Sequence, residues 1–387
     1  MKIIQEADLQ NKKVLLRVDY NVPLKNGQVV DNERLKASLE TIHYLLDHQA
    51  SIVLCSHLGR PEKANHKKYS LKPVVGELEK LIKKKVQFSD DCLGQKKEAL
   101  ISNLRSGQLV LLENLRFYQE EEENNPQFSK NLAQGCEVYV NDAFSASHRD
   151  HASIVGVTKF LPSYAGLQFQ KEVINLSKLV DQPQRPFVLA MGGAKIADKI
   201  PLINNLIGQI DSLVLGGAIA NTFLFAKGYQ VGNSLIDPAS VELVKKIFVQ
   251  ARDYRVEILL PEDCVVGQEM TSLKGQEKKI NAVTDQELIL DIGPASTARA
   301  IETFKEAKTI FWNGPMGYAE TPAFATGTVA LGRAIANSNA FSVIGGGDTV
   351  ATLTQSIKKH YSYISMAGGA SLDFLSGKIL PGIKVLE

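Results

Sequence analysis

Cysteine is scarce in this sequence and never occurs at the spacing of a metal or redox motif. The 387 residues include 4 cysteines, none of them in a C-x-x-C pair. We therefore expect neither a disulfide framework nor a zinc site, and we interpret the thiols as free and buried. This cysteine usage favours a reducing compartment, so a cytoplasmic protein is expected. The cysteines are Cys55, Cys92, Cys136 and Cys264.

Long apolar runs and an excess of one charge are also missing. No apolar run is long enough to cross a bilayer, and Met1–Asp8 lacks the continuous apolar stretch of a signal peptide. The net charge of +2 gives no general attraction to nucleic acid or to an anionic membrane. We expect neither partner, so any recognition of anions must be local.

What the sequence does contain is a regular alternation of short apolar runs with helical patterns. Hydrophobic residues make up 44% and charged residues 22%, as in globular proteins, and the length favours two domains. Alternation of this kind is typical of parallel sheets covered by helices. We predict two Rossmann-like three-layer α/β/α domains. The apolar runs are Val14–Val18, Ser51–Cys55, Leu109–Leu112, Val138–Val140, Pro186–Ala190, Ser212–Leu215, Thr309–Trp312, Phe341–Ile344 and Tyr363–Met366.

The boundary between the domains is predicted near the middle of the chain. Val173, Leu176 and Val180 have helical spacing, and the segment Asp181–Pro186 then breaks the helix. We predict an N-terminal domain over residues 1–169, a connecting helix and linker over 170–185, a C-terminal domain over 186–371 and a tail over 372–387.

Basic side chains follow the apolar runs of the first half. Arginine binds phosphate and carboxylate in a bidentate manner, and open α/β sheets bind ligands at the carboxyl ends of their strands. The first half therefore predicts a site for a small, multiply anionic molecule, whose hydroxyl Asp19 and Asn21 could bind. The alternative is a set of dispersed surface arginines in ordinary ion pairs. The basic residues concerned are Arg17, Arg34, His57, Arg60, Arg116, His148 and Arg149.

The histidines and one acidic run are not assigned general-base or metal-binding roles. Neighbouring arginines disfavour a charged imidazole, so anion binding is preferred over general-base chemistry for His57 and His148. The run Glu120–Glu123 is interpreted as a solvated surface or loop. A structural role is expected for the remaining histidines, which are His43, His48, His66, His151 and His360.

The second half contains glycine turns in place of arginines. Gly192 and Gly193 follow a predicted strand, and we expect a helix to start directly after them, with Lys195 and Lys199 on one helix face. That arrangement would hold phosphate groups, whereas the alternative is a plain strand–helix turn with surface lysines. No Walker A loop is present, because the only Gly-Lys pair is followed by Ile379.

Carboxylates of the second half offer a site for a metal-bound nucleotide. Asp348 follows three glycines at an expected helix start, where it could cap the helix or hold Mg²⁺ beside phosphate oxygens. Asp198 could do the same or screen the lysines, and Glu320 could bind a ribose hydroxyl. One half of the chain would thus bind a small anion and the other a nucleoside polyphosphate, which suggests phosphoryl transfer between the two. We expect the two halves to close over the substrates and exclude water.

Seven motifs in order resemble those of the phosphoglycerate kinase family, from Arg17 to Pro381. The family transfers a phosphoryl group between 1,3-bisphosphoglycerate and Mg-ADP, giving 3-phosphoglycerate and Mg-ATP. Its members are usually monomers whose C-terminal tail returns to the first domain, a role that Ile379–Glu387 would fill here. The motifs are Arg17–Pro23, Ser56–Pro61, Glu113–Phe117, Asn141–Phe144, Gly192–Lys195, Trp312–Pro315 and Gly345–Thr349.

The resemblance implies roles for residues in three groups. The 3-phosphoglycerate site would comprise Asp19, Asn21, Arg34, His57, Gly59, Arg60, Arg116, His148 and Arg149. The nucleotide site would comprise Gly193, Ala194, Lys195, Lys199, Gly217, Asn313, Gly314, Pro315, Glu320, Gly346, Gly347, Asp348 and Thr349, with Asp348 as the Mg²⁺ ligand. The groups closest to the transferred phosphoryl would be Arg34, Lys195, Gly347 and Gly369.

The sequence departs from the family pattern at three places. Ser145-Ala146-Ser147 replaces Gly-Thr-Ala, which is admissible only if Ser145 has a negative φ. Met366-Ala367 replaces Thr-Gly in the late glycine loop, and Ala218 stands where a third glycine is more common. We expect an active enzyme with altered kinetics. Two alternatives stay open: a kinase for another small carboxylate or phosphate, and a nucleotide-gated binding protein without turnover.

Overall fold

The computed structural model describes residues 1–62 and 66–387 and divides into two compact units. The first unit comprises Met1–Val173 together with Ile379–Glu387, and the second comprises Ile174–Lys378. The division falls inside one long helix, Leu167–Val180.

The first unit is built on a six-stranded parallel sheet. Its strands are β1 (Lys13–Arg17), β2 (Leu24–Lys25), β3 (Gln28–Val29), β4 (Ser51–Cys55), β5 (Val86–Ser89), β6 (Leu109–Leu112), β7 (Val138–Asn141) and β8 (Ser163–Ala165). The sheet order is β5–β6–β4–β1–β7–β8, while β2 and β3 form a separate antiparallel hairpin. The helices are α1 (Glu33–Ala37), α2 (Leu39–Asp47), α3 (Lys72–Ile82), α4 (Gly94–Asn103), α5 (Gln119–Glu122), α6 (Pro126–Ala133) and α7 (Leu167–Val180).

Alternate side chains of the central strands enter two separate cores. Val14 and Leu16 of β1 pack in a cluster with Leu78 of α3, whereas Leu15 packs in another cluster with Leu132 of α6. Successive strand residues point to opposite faces of a sheet, so both faces are covered by helices. The first unit therefore has three layers, and every residue of its central strand β4 is buried.

The second unit contains another six-stranded parallel sheet and a smaller antiparallel one. Its strands are β9 (Phe187–Met191), β10 (Ser212–Leu215), β11 (Glu257–Leu259), β12 (Asp263–Gly267), β13 (Gln276–Lys279), β14 (Leu288–Ile292), β15 (Thr309–Asn313), β16 (Phe341–Gly345) and β17 (Tyr363–Ser365). The parallel order is β11–β10–β9–β15–β16–β17, and the antiparallel order is β13–β12–β14. One face of the large sheet packs Val188 and Trp312 against Phe304 and Leu331.

The helices of the second unit connect these strands. They are α8 (Ile200–Leu206), α9 (Gly217–Ala226), α10 (Val241–Tyr254), α11 (Pro294–Glu306), α12 (Thr326–Ala336), α13 (Gly347–Ala351), α14 (Gln355–Lys358) and α15 (Gly369–Leu375). The last helix, α16 (Pro381–Lys384), belongs to the first unit, where the Gly382 amide donates to the Ser147 carbonyl at 2.9 Å.

The prediction of two parallel-sheet α/β domains is confirmed, and each apolar run named above overlaps a strand. The antiparallel sheet β12–β14 was not predicted, because its strand Gln276–Lys279 is wholly polar and leaves no apolar run. Within the described part of the chain, no helix combines the length and apolar character needed to span a membrane.

Candidate functional site

Polar side chains gather where the parallel strands of the first unit end. Asp19, His57, Arg116 and Asp142 follow β1, β4, β6 and β7, and the carboxyl ends of parallel strands lie on one edge of a sheet. The edge therefore brings together segments that are far apart in the chain.

One chain of contacts joins several of the predicted substrate residues. Arg34 in α1 forms an ion pair with Asp19, whose Oδ1 accepts the Asn21 amide at 3.0 Å. Asn21 Oδ1 in turn accepts the Gly59 amide at 2.8 Å. The Gly59 carbonyl accepts Arg116 Nη1 at 2.7 Å. Each contact fixes one partner relative to the next, so these contacts link all five residues, from Arg34 to Arg116, in one series.

Three arginines line one cavity of about 470 Å³ in the first unit. They are Arg60, Arg116 and Arg149, and Glu122 lies 3.0 Å from Arg116 Nε at the same cavity. Burial, followed by the charges of Arg60 and Arg17, lowers the pKa of Arg149. This grouping favours an anion site over dispersed surface ion pairs, since a bound anion would relieve the repulsion.

The two histidines expected in this site have different surroundings. His57 is buried, and its pKa is held well below the ordinary value by burial first and then by Arg17, Arg149 and Arg34. The expectation of a neutral imidazole therefore holds for His57, with burial as the larger cause. His148 Nε2 lies 3.3 Å from Arg149 Nε.

The structural role expected for His151 stays a prediction. This histidine lines the arginine cavity and lies 3.8 Å from Glu121. The interpretation of Glu120–Glu123 as solvated fails at Glu121, which is fully buried.

Ser145 satisfies the backbone condition set by the sequence. It lies in the short 3-10 helix Phe144–Ala146 and is not among the residues with positive φ. Its hydroxyl donates a hydrogen bond to Asp19 Oδ2, the oxygen that also pairs with Arg34. The departure from glycine therefore adds a contact to the predicted substrate site.

The glycine turn of the second unit differs from the expected arrangement. Gly193 has φ +80, but the following helix α8 begins only at Ile200, so Lys195 and Lys199 do not share a helix face. Pro201 is the physical reason, because proline is accepted in the first turn of a helix but not in its interior.

The two lysines of this loop are in different environments. Lys195 is exposed, whereas Lys199 is buried and its Nζ donates to the carbonyl of Gly192. Burial lowers the pKa of Lys199 to about 8, against the opposing influence of Asp198 and Asp348. The ammonium group of Lys199 is thus held beside the turn, whereas the side chain of Lys195 is exposed to solvent.

A cavity of about 220 Å³ collects part of the predicted nucleotide site. Its polar lining includes Glu320 and Asp348, and its apolar part was missed because leucine, isoleucine and methionine residues carry no motif. A cavity with apolar walls and a few polar groups is typical of a small-molecule site. The predicted residues in the lining are Gly193, Ala194, Gly217, Pro315, Glu320 and Asp348, and the apolar ones are Leu235, Met270, Leu288, Ile289 and Leu290.

Other predicted nucleotide residues shape the loops beside this cavity without lining it. Thr349 Oγ1 accepts the Gly314 amide at 2.8 Å, which ties the segments after β15 and β16 together. Gly314 and Gly346 both have φ +93, a conformation that favours glycine. Asn313 and Gly347 lie at the end of β15 and at the start of α13, and Gly369 begins α15 after β17.

The donor set of the second unit suits a metal that is shared with phosphate. Among residues 1–62 and 66–387, no group of three or more His, Cys, Asp or Glu side chains could hold a metal ion. Asp348 lies in the first turn of α13 and lines the cavity, as does one other carboxylate, that of Glu320. Mg²⁺ is commonly bound by one or two carboxylates with substrate phosphates, so Asp348 fits a Mg-nucleotide.

Comparisons with known proteins all indicate the same family, over nearly the whole chain. A sequence model of the family "Phosphoglycerate kinase" matches residues 4–378. The phosphoglycerate kinase of Moorella thermoacetica is 46% identical over 385 residues, covering 99% of this chain and 98% of the relative. That of Dictyoglomus turgidum is 44% identical over 391 residues, again covering 99% and 98%.

Solved structures give the same result. The phosphoglycerate kinase structure from Coxiella burnetii matches with a TM-score of 0.88 at 40% identity, covering 99% of this chain and 98% of that one. The structure from Pyrococcus horikoshii OT3 matches with a TM-score of 0.87 at 31% identity, covering 100% and 98%.

Proposed function

This chain belongs to the phosphoglycerate kinase family, and from that premise we propose that it transfers a phosphoryl group reversibly between 1,3-bisphosphoglycerate and ADP, with Mg²⁺. Family membership makes it a kinase whose acceptor is a carboxyl group and whose substrates are phosphoglycerate and ATP or ADP. The observation that carries the proposal is the arginine-lined cavity of the first unit, because it suits an acceptor with both phosphate and carboxylate groups.

The first unit is proposed to bind 3-phosphoglycerate. Arg60, Arg116 and Arg149 would bind its phosphate, since all three line the cavity and guanidinium groups bind phosphate in a bidentate manner. Asp19 and Asn21 would bind the hydroxyl. Arg34, held by Asp19, would reach the carboxyl group that is phosphorylated.

The second unit is proposed to bind the nucleotide. The apolar part of its cavity would take the base, and Glu320 on the rim would bind a ribose hydroxyl. Asp348 would hold Mg²⁺, which when bound neutralises phosphate charge and orients the oxygens. Lys195 and Lys199 would contact the phosphates from the loop after β9.

Phosphoryl transfer of this kind depends on positioning and charge neutralisation. We propose direct in-line transfer without a covalent enzyme intermediate, with Arg34, Lys195 and the amides of Gly347 and Gly369 stabilising the charge that develops. Closure of the two units over both substrates would exclude water. We further propose a cytoplasmic monomer acting in glycolysis and gluconeogenesis.

Initial rates with 3-phosphoglycerate and Mg-ATP test this function. Glyceraldehyde-phosphate dehydrogenase would consume the product while the loss of NADH is followed. We expect turnover that requires 3-phosphoglycerate, ATP and Mg²⁺ together, and that is lost when any one is omitted. A matched panel of other small carboxylates and phosphates is the control. Turnover of a panel member in preference to 3-phosphoglycerate would refute the proposed acceptor, and tight ATP binding without any turnover would favour a binding protein.

A further inference from the structure

A chain of buried polar groups lies beneath His57 in the first unit. Glu121 and Ser153 have no exposed surface, and Arg17 is 1% exposed. Glu121 Oε1 accepts the Ser153 hydroxyl at 2.6 Å, and Ser153 Oγ accepts Arg17 Nε at 2.9 Å. Arg17 Nη2 then lies 3.1 Å from His57 Nδ1. The four side chains therefore form one hydrogen-bonded series that ends at a predicted substrate residue.

The chemistry of the donors fixes the direction of every bond in this series. A guanidinium group can only donate, so His57 Nδ1 must accept and the ring proton must reside on Nε2. The same argument makes Ser153 Oγ the acceptor from Arg17, which leaves its own proton for Glu121. The series can be satisfied in only one way, and it leaves the Nε2–H group of His57 as a hydrogen-bond donor.

Charge balance explains why Glu121 stands at the other end of the series. A buried guanidinium without a counter-charge is strongly unfavourable. Burial raises the pKa of Glu121, whereas the charge of Arg17 and the two hydrogen bonds from Ser153 favour its ionised form, whose charge would balance that of Arg17. Glu121 Oε2 also accepts the Ser153 amide at 2.9 Å, and Tyr139 Oη donates to the Ser153 carbonyl at 2.6 Å. These bonds hold Ser153, and with it Arg17, in one position.

We propose that Glu121, through Ser153 and Arg17, is a positioning residue that keeps His57 as the Nε2–H tautomer, so that a neutral imidazole donates a hydrogen bond to the anionic acceptor substrate. This inference rests on the proposed function, because the substrate it names is that of the proposed reaction. A neutral donor suits a site that already contains Arg34 and Arg149, since a further positive charge would be repelled by them.

The tautomer is measured directly by ¹⁵N NMR of histidine-labelled protein without ligand. Two-bond correlations distinguish a protonated Nε2 from a protonated Nδ1, and a His57→Gln variant assigns the signals. We expect wild-type His57 to be protonated at Nε2 alone. A ring protonated at Nδ1, or an even mixture of the two forms, would overturn the proposal whatever the activity of the enzyme.

Kinetics of Glu121→Gln test the effect on substrate. The side-chain amide of this variant has an acceptor oxygen in place of only one of the two carboxylate oxygens, so it cannot accept both the hydroxyl and the backbone N–H of Ser153 as Glu121 does. Ser153, and with it Arg17, is then held less firmly. We expect the KM for 3-phosphoglycerate to rise about tenfold, the loss typical of one hydrogen bond to a charged group, with the KM for Mg-ATP unchanged. The exposed neighbour Glu120 gives the matched control Glu120→Gln, which should behave as wild type.

A second variant keeps the test decisive if Glu121→Gln fails to fold. Arg17→Met with Glu121→Gln removes both buried charges together, which avoids an unpaired charge. We expect a folded protein with a raised KM for 3-phosphoglycerate and loss of the single His57 tautomer. An active wild type whose folded variants keep the wild-type KM would overturn this inference alone. A wild type inactive with 3-phosphoglycerate would instead overturn the proposed function.

Discussion

Lys199 is a single buried side chain that would make the proposed nucleotide binding depend on pH. Its ammonium group is buried beside the glycine turn, and burial lowers its pKa to about 8. In the protein without ligand, the positive charge is therefore present below that pH and is lost as the pH rises through it. A phosphate group near Nζ would lose its partner over the same range.

We predict that the KM for Mg-ATP rises in the wild type as the pH increases through about 8. Lys199→Arg, which stays charged, should remove this rise, because arginine is not deprotonated in proteins. The measurement is the KM for Mg-ATP across that range. The control is Lys246→Arg on the surface of α10, which should retain the pH dependence. A flat wild-type profile would contradict the loss of a Lys199 charge beside the phosphate over this pH range.

Sequence reasoning at the residue scale worked where chemistry and position coincide. Arg60, Arg116 and Arg149 were selected because they follow strands, and the structure places all three around one cavity. Leu235 and Leu288 also line a cavity, but they could not be identified, since apolar residues give the same pattern in a core.

At the scale of the element, α7 begins on a buried carboxylate. Asp142, 5% exposed, lies after β7, and its Oδ1 accepts the amides of Gln168 at 2.9 Å and Phe169 at 3.2 Å. Burial raises the pKa of Asp142 to about 7, although these hydrogen bonds oppose the shift. The folded protein therefore holds this proton more tightly than the unfolded chain does.

The raised pKa gives a defined dependence of stability on pH. The stabilising effect of protonated Asp142 is complete below about pH 4 and is lost as the pH rises to about 7 and beyond. We predict that Asp142→Asn removes this loss, so that above the folded pKa the variant is more stable by up to roughly 4 kcal/mol. Urea unfolding of both proteins across this range measures the difference.

The control for this prediction is an exposed aspartate at the other end of the same helix. Asp181 follows the last residue of α7, and Asp181→Asn should leave the pH dependence of the free energy of unfolding unchanged. Parallel stability profiles for Asp142→Asn and the wild type would show that the buried carboxylate does not hold its proton.

Element types were predicted correctly for the parallel sheets and for α7 but not for the antiparallel sheet β12–β14, and element boundaries were less accurate. The spacing of Val173, Leu176 and Val180 identified α7, because a helix buries residues at that period. The helix α8 starts later than predicted, because Pro201 can stand only in the first turn of a helix. The conformation of such a loop depends on tertiary contacts, here the burial of Lys199, and a local sequence pattern does not reveal these contacts.

At the scale of the whole molecule, the two units carry different chemistry on the same architecture. The first has an arginine-lined cavity, and the second has an apolar cavity with acidic side chains at its rim. Both follow from a parallel sheet, whose strand ends present loops at one edge. The central claim is that each unit binds its own substrate.

Calorimetric titration of 3-phosphoglycerate and of Mg-ATP into the wild type and Arg149→Ala tests this claim most directly. Removing one guanidinium from the first unit should weaken 3-phosphoglycerate binding by at least about tenfold, because a charge-assisted contact is lost. The affinity for Mg-ATP should stay the same, since the cavity proposed for it lies in the second unit. Unchanged binding of 3-phosphoglycerate, or an equal loss for both ligands, would contradict the division of substrates between the units.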